Sequence, residues 1–263
     1  MGDLAALRSR LSDLDSVVVA FSGGADSAFL AWVAHDTLGE GARAVTAVSP
    51  SLAPEELADC EALAEEWGLH WTTVATDELA RPDYVTNGVD RCAHCKTELM
   101  DALAPLAAAG GAVVLGVNVD DLGDHRPGQE AAASRGAVFP LVEAGFTKAD
   151  VRAESHRLGL RTWDKPAAAC LASRVAYGTP VTLGVLDSVA RAESGLRRLG
   201  FGQLRVRHYG DLARIEVEPD RLAAVLEARA EVLAAVKAAG YTYVTLDLEG
   251  FRSGSMNAVL GER

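Results

Sequence analysis

Ser22-Gly23-Gly24-Ala25-Asp26-Ser27 stands between an apolar run, Val17 to Phe21, and a stretch with helical character. Glycines let the backbone approach a ligand closely, and successive N–H groups with a helix N-terminus form a cradle for an anion. Ser22 and Ser27 add hydroxyl donors. The string is neither the dinucleotide fingerprint G-x-G-x-x-G nor the G-x-x-x-x-G-K-[ST] phosphate loop. A second polar group, Asn118, Asp120 and Asp121, continues into Asp124-His125-Arg126. Cys170 is followed by Ser173 and Arg174, and a neighbouring cation favours the nucleophilic thiolate. Cys92 and Cys95 form a C-x-x-C pair, whose spacing alone leaves zinc, redox chemistry or no metal open. Cys60 lies in helical register with Leu57 and Ala64 and reads as packing.

Strand–helix alternation positions these groups. Val17 to Phe21 is a continuous apolar run, the pattern of a strand buried on both faces of a parallel sheet. A helix over 27–38, a strand over 44–48, a helix over 54–67 and a strand over 70–75 follow. Residues 77–91 have no clear period and include Pro82, Asn87 and Gly88, so they read as loop, with a helix from about Lys96 to Ala109 and the C-x-x-C just ahead of it. A fourth strand spans 112–117, and a helix runs from Thr147 to Leu158. Such alternation implies right-handed βαβ units and a doubly wound sheet, with ligands beyond the carboxyl ends of the strands. The remainder reads as an α-β-β-α-β block: a helix through Leu183 to Leu199, strands over 203–207 and 213–217, a stripe of Leu222, Val225, Leu226, Leu233 and Val236, and a strand over 241–246. The fold class is therefore α/β, with a domain over 1–165 and a smaller α+β domain over 166–263.

The 263 residues are 49% hydrophobic, which excludes intrinsic disorder, and the formal charge of −12 argues against nucleic acid or an anionic membrane as partner. The charge is unevenly spread. Residues 1–160 hold 11 basic and 25 acidic groups, whereas 161–263 hold 14 and 12, and twelve of those 14 are arginine. A small anion met by the C-terminal part fits this distribution. The N-terminal segment has acids and arginines where a signal peptide would be apolar, so a cytoplasmic location is expected.

The Ser22–Ser27 string resembles the PP-loop of the ATP pyrophosphatase superfamily, whose members split ATP to AMP and pyrophosphate while adenylating a substrate. That resemblance assigns Ser22, Gly23, Gly24, Asp26 and Ser27 to pyrophosphate, with Asp26 helping to hold Mg²⁺. Asp121, Arg126 and Lys148, at a helix start, match the superfamily's layout for the nucleotide. The string Lys165-Pro166-Ala-Ala-Ala-Cys170-Leu-Ala-Ser173-Arg174 resembles the LarE family of ATP-dependent sulfur transferases, which build the nickel-pincer nucleotide of lactate racemase. Arg205-Val-Arg207-His208 through Val217 and Leu248-Glu249-Gly250-Phe251-Arg252 through Asn257 extend that resemblance.

The resemblance implies a pyridinium mononucleotide substrate bearing carboxylates, one of which ATP adenylates. The Cys170 thiolate then displaces AMP, and loss of the cysteine carbon–sulfur bond yields a thiocarboxylate and dehydroalanine. Ser173, Arg174, Arg205 and Arg207 become candidates for the substrate phosphate, since guanidinium forks suit phosphate oxygens, and Glu193 a candidate for assisting elimination. Members with the C-x-x-C resemble a subgroup in which Cys92, Cys95 and Cys170 hold a [4Fe–4S] cluster carrying the transferred sulfide, with Cys170 as ligand. Zinc with His94 or His125, or no metal, are further readings of the pair. A homo-oligomer is expected from the family. A tRNA-thiolating PP-loop enzyme would share the loop and paired cysteines but needs a basic RNA surface, against which the charge argues.

Overall fold

The computed structural model describes residues 2–108, 111–123, 127–166, 169–252 and 255–256. In chain order the elements are α1 (Leu4–Ser12), β1 (Val17–Ala20), α2 (Ala25–Leu38), β2 (Ala42–Val48), α3 (Pro54–Trp67), β3 (His70–Ala75) and α4 (Pro82–Val85). Then come α5 (Arg91–Ala108), β4 (Ala112–Leu115), α6 (Pro127–Ala133), α7 (Pro140–Glu143) and α8 (Lys148–Arg157). The last third contributes α9 (Leu183–Arg198), β5 (Leu204–Tyr209), β6 (Leu212–Val217), α10 (Leu222–Glu227), α11 (Arg229–Ala238) and β7 (Tyr243–Leu246). These elements form two units, one of Met1–Arg81 with Asp90–Ala168 and one of Pro82–Val89 with Ala169–Arg263.

In the first unit the described residues form a four-stranded, all-parallel sheet in the order β3-β2-β1-β4. Alternate side chains of β1 point to opposite faces. Val17 and Val19 join Leu7, Leu11, Phe29, Leu63 and Phe146 in one core, while Val18 joins Val45, Leu103, Val113 and Leu115 in another. Burial on both faces explains the unbroken apolar run, and the α/β, doubly wound architecture is as the sequence predicts. Pro54 opens α3, and Gly68 closes it in the left-handed conformation (φ 63°) that a side chain would strain. Among the described residues no helix is long and apolar enough to cross a membrane.

The second unit has a three-stranded sheet among its described residues, with β5 antiparallel and β7 parallel to the central β6. Leu196, Phe201, Val206, Ile215, Val232, Val236 and Tyr241 fill its core. The expected single stripe over 222–236 is divided. Ala228 (φ −90°, ψ 24°) leaves helical geometry between α10 and α11, so Val225, Val232 and Val236 are buried while Leu226 and Leu233 face solvent.

Residues 77–91 depart from the expected loop. Asp77 Oδ1 accepts from Ala80 N and caps a 3₁₀ turn over Glu78–Ala80, and Pro82 opens α4 with its ring preset for a helix. The next helix starts at Arg91, earlier than Lys96, so the C-x-x-C lies inside it and not ahead of it. Asn87 anchors the segment of the second unit drawn from this region. It is fully buried at φ 58°, and its amide donates to the carbonyls of Ala176 (2.8 Å) and Thr179 (3.0 Å). Asn87→Ala leaves those carbonyls unpaired and should lower unfolding free energy by about 1–3 kcal/mol, read as an earlier urea midpoint.

Candidate functional site

The sheet of the first unit ends in the loop after β1. Gly23 adopts φ +69°, and a Cβ there would lie 2.9 Å from Cys60 Sγ on α3, so both conformation and space require glycine. Cys60 is the floor beneath the loop, fully buried as expected, and burial pushes its thiol up to about 11. Gly24 precedes α2 without a side-chain cap, leaving the first N–H groups of that helix available to an anion. Ser27 closes the loop on itself: its hydroxyl accepts from Ser22 N (3.2 Å), contacts Ser22 Oγ (3.0 Å) and donates to the Gly24 carbonyl (3.1 Å). Gly116, just past β4, permits a second close approach, since a Cβ would stand 2.8 Å from Ser27 N.

Asp26, on the first turn of α2, carries the chemistry of this edge. Its Oδ1 is buried without a hydrogen-bond partner among the described residues. Burial raises its pKa above the ordinary carboxylate value; Lys148 opposes this, Asp121 adds to it, and the Asn118 amide and Arg152 oppose it. Asn118 and Asp121 are buried and lock each other, N–H to side-chain oxygen in both directions at 3.2 Å. Lys148 N donates to Asp120 Oδ2 (2.8 Å) at the start of α8, beside a Thr147–Asp150 capping box. A buried, unpartnered carboxylate oxygen flanked by a second carboxylate and a lysine suits Mg²⁺ bridging to phosphate. Arg126 lies outside the described residues.

Cys92 and Cys95 sit one turn apart on α5, in i, i+3 positions that share a helix face. Gly128 of α6 lets that helix approach, since a Cβ would lie 3.0 Å from the Cys92 carbonyl oxygen. Cys95 Sγ is 3.8 Å from Oε1 of the buried Glu78. No group of three or more His, Cys, Asp or Glu side chains able to hold a metal ion occurs among the described residues. The pair by itself therefore supplies two thiol ligands and not the three that a cluster needs.

In the second unit, Cys170 is exposed at the start of a 3₁₀ turn over Leu171–Arg174. Arg174 wraps that turn. Its Nη1 donates to the carbonyls of Ala169 (2.5 Å) and Cys170 (3.1 Å) and to Ser173 Oγ (3.1 Å), while Nε and Nη2 grip the two oxygens of Glu193 at 2.8 and 3.1 Å. Glu193 is fully buried and also accepts from Val206 N (3.0 Å) and Arg197 Nη2 (3.0 Å). Its geometry is that of a group positioning Arg174 and, through it, the Cys170 backbone.

Arg205 and Arg207 occupy i, i+2 positions on β5 and share a face of the sheet. Arg207 is fully buried, donating to the Ser173 carbonyl (3.0 Å), Glu216 (2.8 Å) and Ser255 Oγ (2.6 Å), yet its Nε has no partner among the described residues. Arg205 is 6% exposed, lies 4.6 Å from the centre of the Phe251 ring, and has no carboxylate in salt-bridge contact among the described residues. Burial, then Arg174 and Arg207, lower its pKa to about 10, so it remains a cation at neutral pH. A desolvated guanidinium without a counterion is an anion receptor. Glu216 escaped the sequence reading; the signal was a carboxylate between Ile215 and Val217 in a buried strand, which demands a cationic partner.

Over 259 residues, 97% of this chain and 94% of the relative, the sequence is 40% identical to the pyridinium-3,5-bisthiocarboxylic acid mononucleotide synthase of Lactiplantibacillus plantarum. The chain belongs to the LarE family. It is also 48% identical over 258 residues to an uncharacterized protein, slr1717, of Synechocystis, covering 97% and 96% of the two chains, and 26% identical over 242 residues to an uncharacterized protein of Methanocaldococcus jannaschii. No family model matches the chain. The LarE relationship spans the residues of both units.

Two outcomes follow from the charges. Asp26 binds its proton more tightly in the native than in the unfolded state, so its contribution to stability is full in acid and falls as pH rises through the native pKa. Asp26→Asn should raise the ligand-free Tm at about pH 7 by roughly 2–4 °C, with the gain shrinking toward about pH 4. Arg205→Met removes an uncompensated buried cation. It should raise the ligand-free Tm while reducing the stabilisation by inorganic phosphate relative to the unaltered chain, both read by thermal melts.

Proposed function

We propose that this chain is an ATP-dependent sulfur transferase that makes the thiocarboxylate of a pyridinium-3,5-dicarboxylate mononucleotide. The observation that carries the reading is the 40% identity, across nearly the full length of both chains, to a relative named as the bisthiocarboxylic acid mononucleotide synthase. The loop over Ser22–Ser27 takes the pyrophosphate of ATP. Mg²⁺, when bound at Asp26 with Asp121, supplies charge neutralisation at that pyrophosphate. Lys148 adds positive potential on the same side.

The substrate phosphate binds Arg205 and the free Nε of Arg207, with Ser173 beside them. A substrate carboxylate oxygen attacks the α-phosphorus of ATP, pyrophosphate leaves, and an acyl-adenylate results. Cys170 Sγ adds to the acyl carbon as the bond to AMP breaks, giving a thioester. Loss of the Cys170 α-proton, with the Cβ–Sγ electron pair leaving on sulfur, releases the thiocarboxylate and leaves dehydroalanine. Glu193 and Arg174 hold the Cys170 carbonyl throughout, so they act by positioning.

The shared face of Cys92 and Cys95 favours a second reading, in which these thiols and Cys170 hold an iron–sulfur cluster that carries the sulfur. Product counting on anaerobically purified protein, with iron and sulfide analysis, separates the two. The sacrificial route gives one thiocarboxylate per chain and a mass loss of H₂S at Cys170; many products per chain with bound iron overturn it. Pyrophosphate release should require the pyridinium acid, and its absence sinks the whole proposal. Asp26→Asn should lower AMP formation by on the order of 10²-fold or more, whereas Cys170→Ala should retain AMP formation and lose thiocarboxylate.

A further inference from the structure

Lys165 has no role in the chemistry above, yet its ammonium stands over the phosphate loop. Its Nζ lies 3.7 Å from where a Cβ on Gly23 would be, on the same side of that residue as Cys60 Sγ. The side chain is only 17% exposed and is held by Asp59 Oδ2 (2.6 Å) and Glu56 Oε2 (2.9 Å) on α3. Cys60, the next residue on that helix, is the floor of the loop. The Lys165 carbonyl accepts from Arg152 Nη2 (3.3 Å) on α8, the helix that also carries Lys148. Arg161, four residues earlier, shares Asp59 (2.8 Å) and pairs with Glu66 (2.8 Å), so the segment is tied to α3 twice.

The geometry points to Lys165 as a second phosphate-contacting cation, parked on Glu56 and Asp59 in the nucleotide-free protein and transferred to the ATP phosphates on binding. This rests on the reading of the loop as an ATP site. A surface salt bridge would leave both partners solvated and would be worth little. Here the ammonium is largely withdrawn from water, beside the loop that leads into the uncapped N-terminus of α2. A flexible four-carbon stem can exchange one set of oxygens for another within a few ångströms. Burial alone lowers the ammonium pKa, and Asp59 and Glu56 more than reverse this, so a full positive charge is kept ready.

Calorimetric titration of the full chain with MgATP, without the pyridinium acid, tests the contact. Lys165→Met should raise the Kd for ATP about tenfold, with Lys165→Arg recovering most of the loss. Asp59→Asn frees the ammonium from one carboxylate and should tighten ATP binding about threefold, a gain lost when combined with Lys165→Met. Removing the Asp59 charge would tighten anion binding through space with or without Lys165, so the transfer is read from the gain being present with the lysine and lost in the double variant. An unchanged Kd in Lys165→Met, with normal binding by the unaltered chain, overturns the proposal and leaves the loop's assignment standing. No ATP binding by the unaltered chain removes the assignment itself. Should Lys165→Met not fold, Lys165→Gln takes its place in the same comparison: a gain from Asp59→Asn that it removes supports the transfer, and a gain that it leaves intact overturns it.

Discussion

Close approach of glycine backbone to neighbouring elements at the carboxyl edge of the parallel sheet is the constraint on which the first unit depends. Gly23 sits against Cys60 Sγ, and Gly116 against the Asp26–Ser27 peptide of α2. Neither position has room for a methyl group, so β1, α2, α3 and the end of β4 are held in one arrangement by the absence of two side chains. That arrangement brings Asp26, Asn118, Asp121 and Lys148 into one electrostatic neighbourhood. The loop is closed by its own hydroxyls, and no side chain caps the helix that follows it.

The second unit solves a different problem, the burial of several guanidinium groups in a small sheet. Glu193 and Glu216, each fully buried, pair with two arginines apiece: Arg174 with Arg197, and Arg207 with Arg214. Arg205, between them in the same environment, has no such carboxylate among the described residues. Breaking a buried pair strands a charge at high cost, so the two glutamates fix the architecture, and the unmatched arginine is the one proposed to meet the substrate phosphate. Cys170 is held within the first of these networks through its own carbonyl.

Much of this was legible in the chain before the coordinates. A run of apolar residues with glycines and hydroxyls after it specifies strand, loop and helix locally, and Cys60 in helical register is packing wherever the helix lies. The limits are equally physical. The start of α5 was missed because nothing periodic precedes Lys96; Asp90 supplies the first acceptor of that helix instead. The division at Ala228 has no glycine or proline to announce it. Arginines read as ligands for phosphate turned out to differ from one another, because which of them meets a glutamate depends on strand register: Arg205 faces Glu216 across the ladder, yet it is Arg207 that pairs with it.

The path of the chain has a consequence for how this protein can be taken apart. Residues 82–89 belong with the C-terminal unit, so the polypeptide passes from the first unit to the second, back again, and over once more. Neither unit is a continuous stretch. A recombinant fragment beginning after residue 168 would lack the strip that Asn87 and Val85 fasten to it through the carbonyls and N–H groups of residues 176–181. A nascent chain, likewise, holds that strip unsatisfied until residues 176–181 have left the ribosome. Maturation of the smaller unit is thus necessarily a late event, whatever the speed with which the larger one forms.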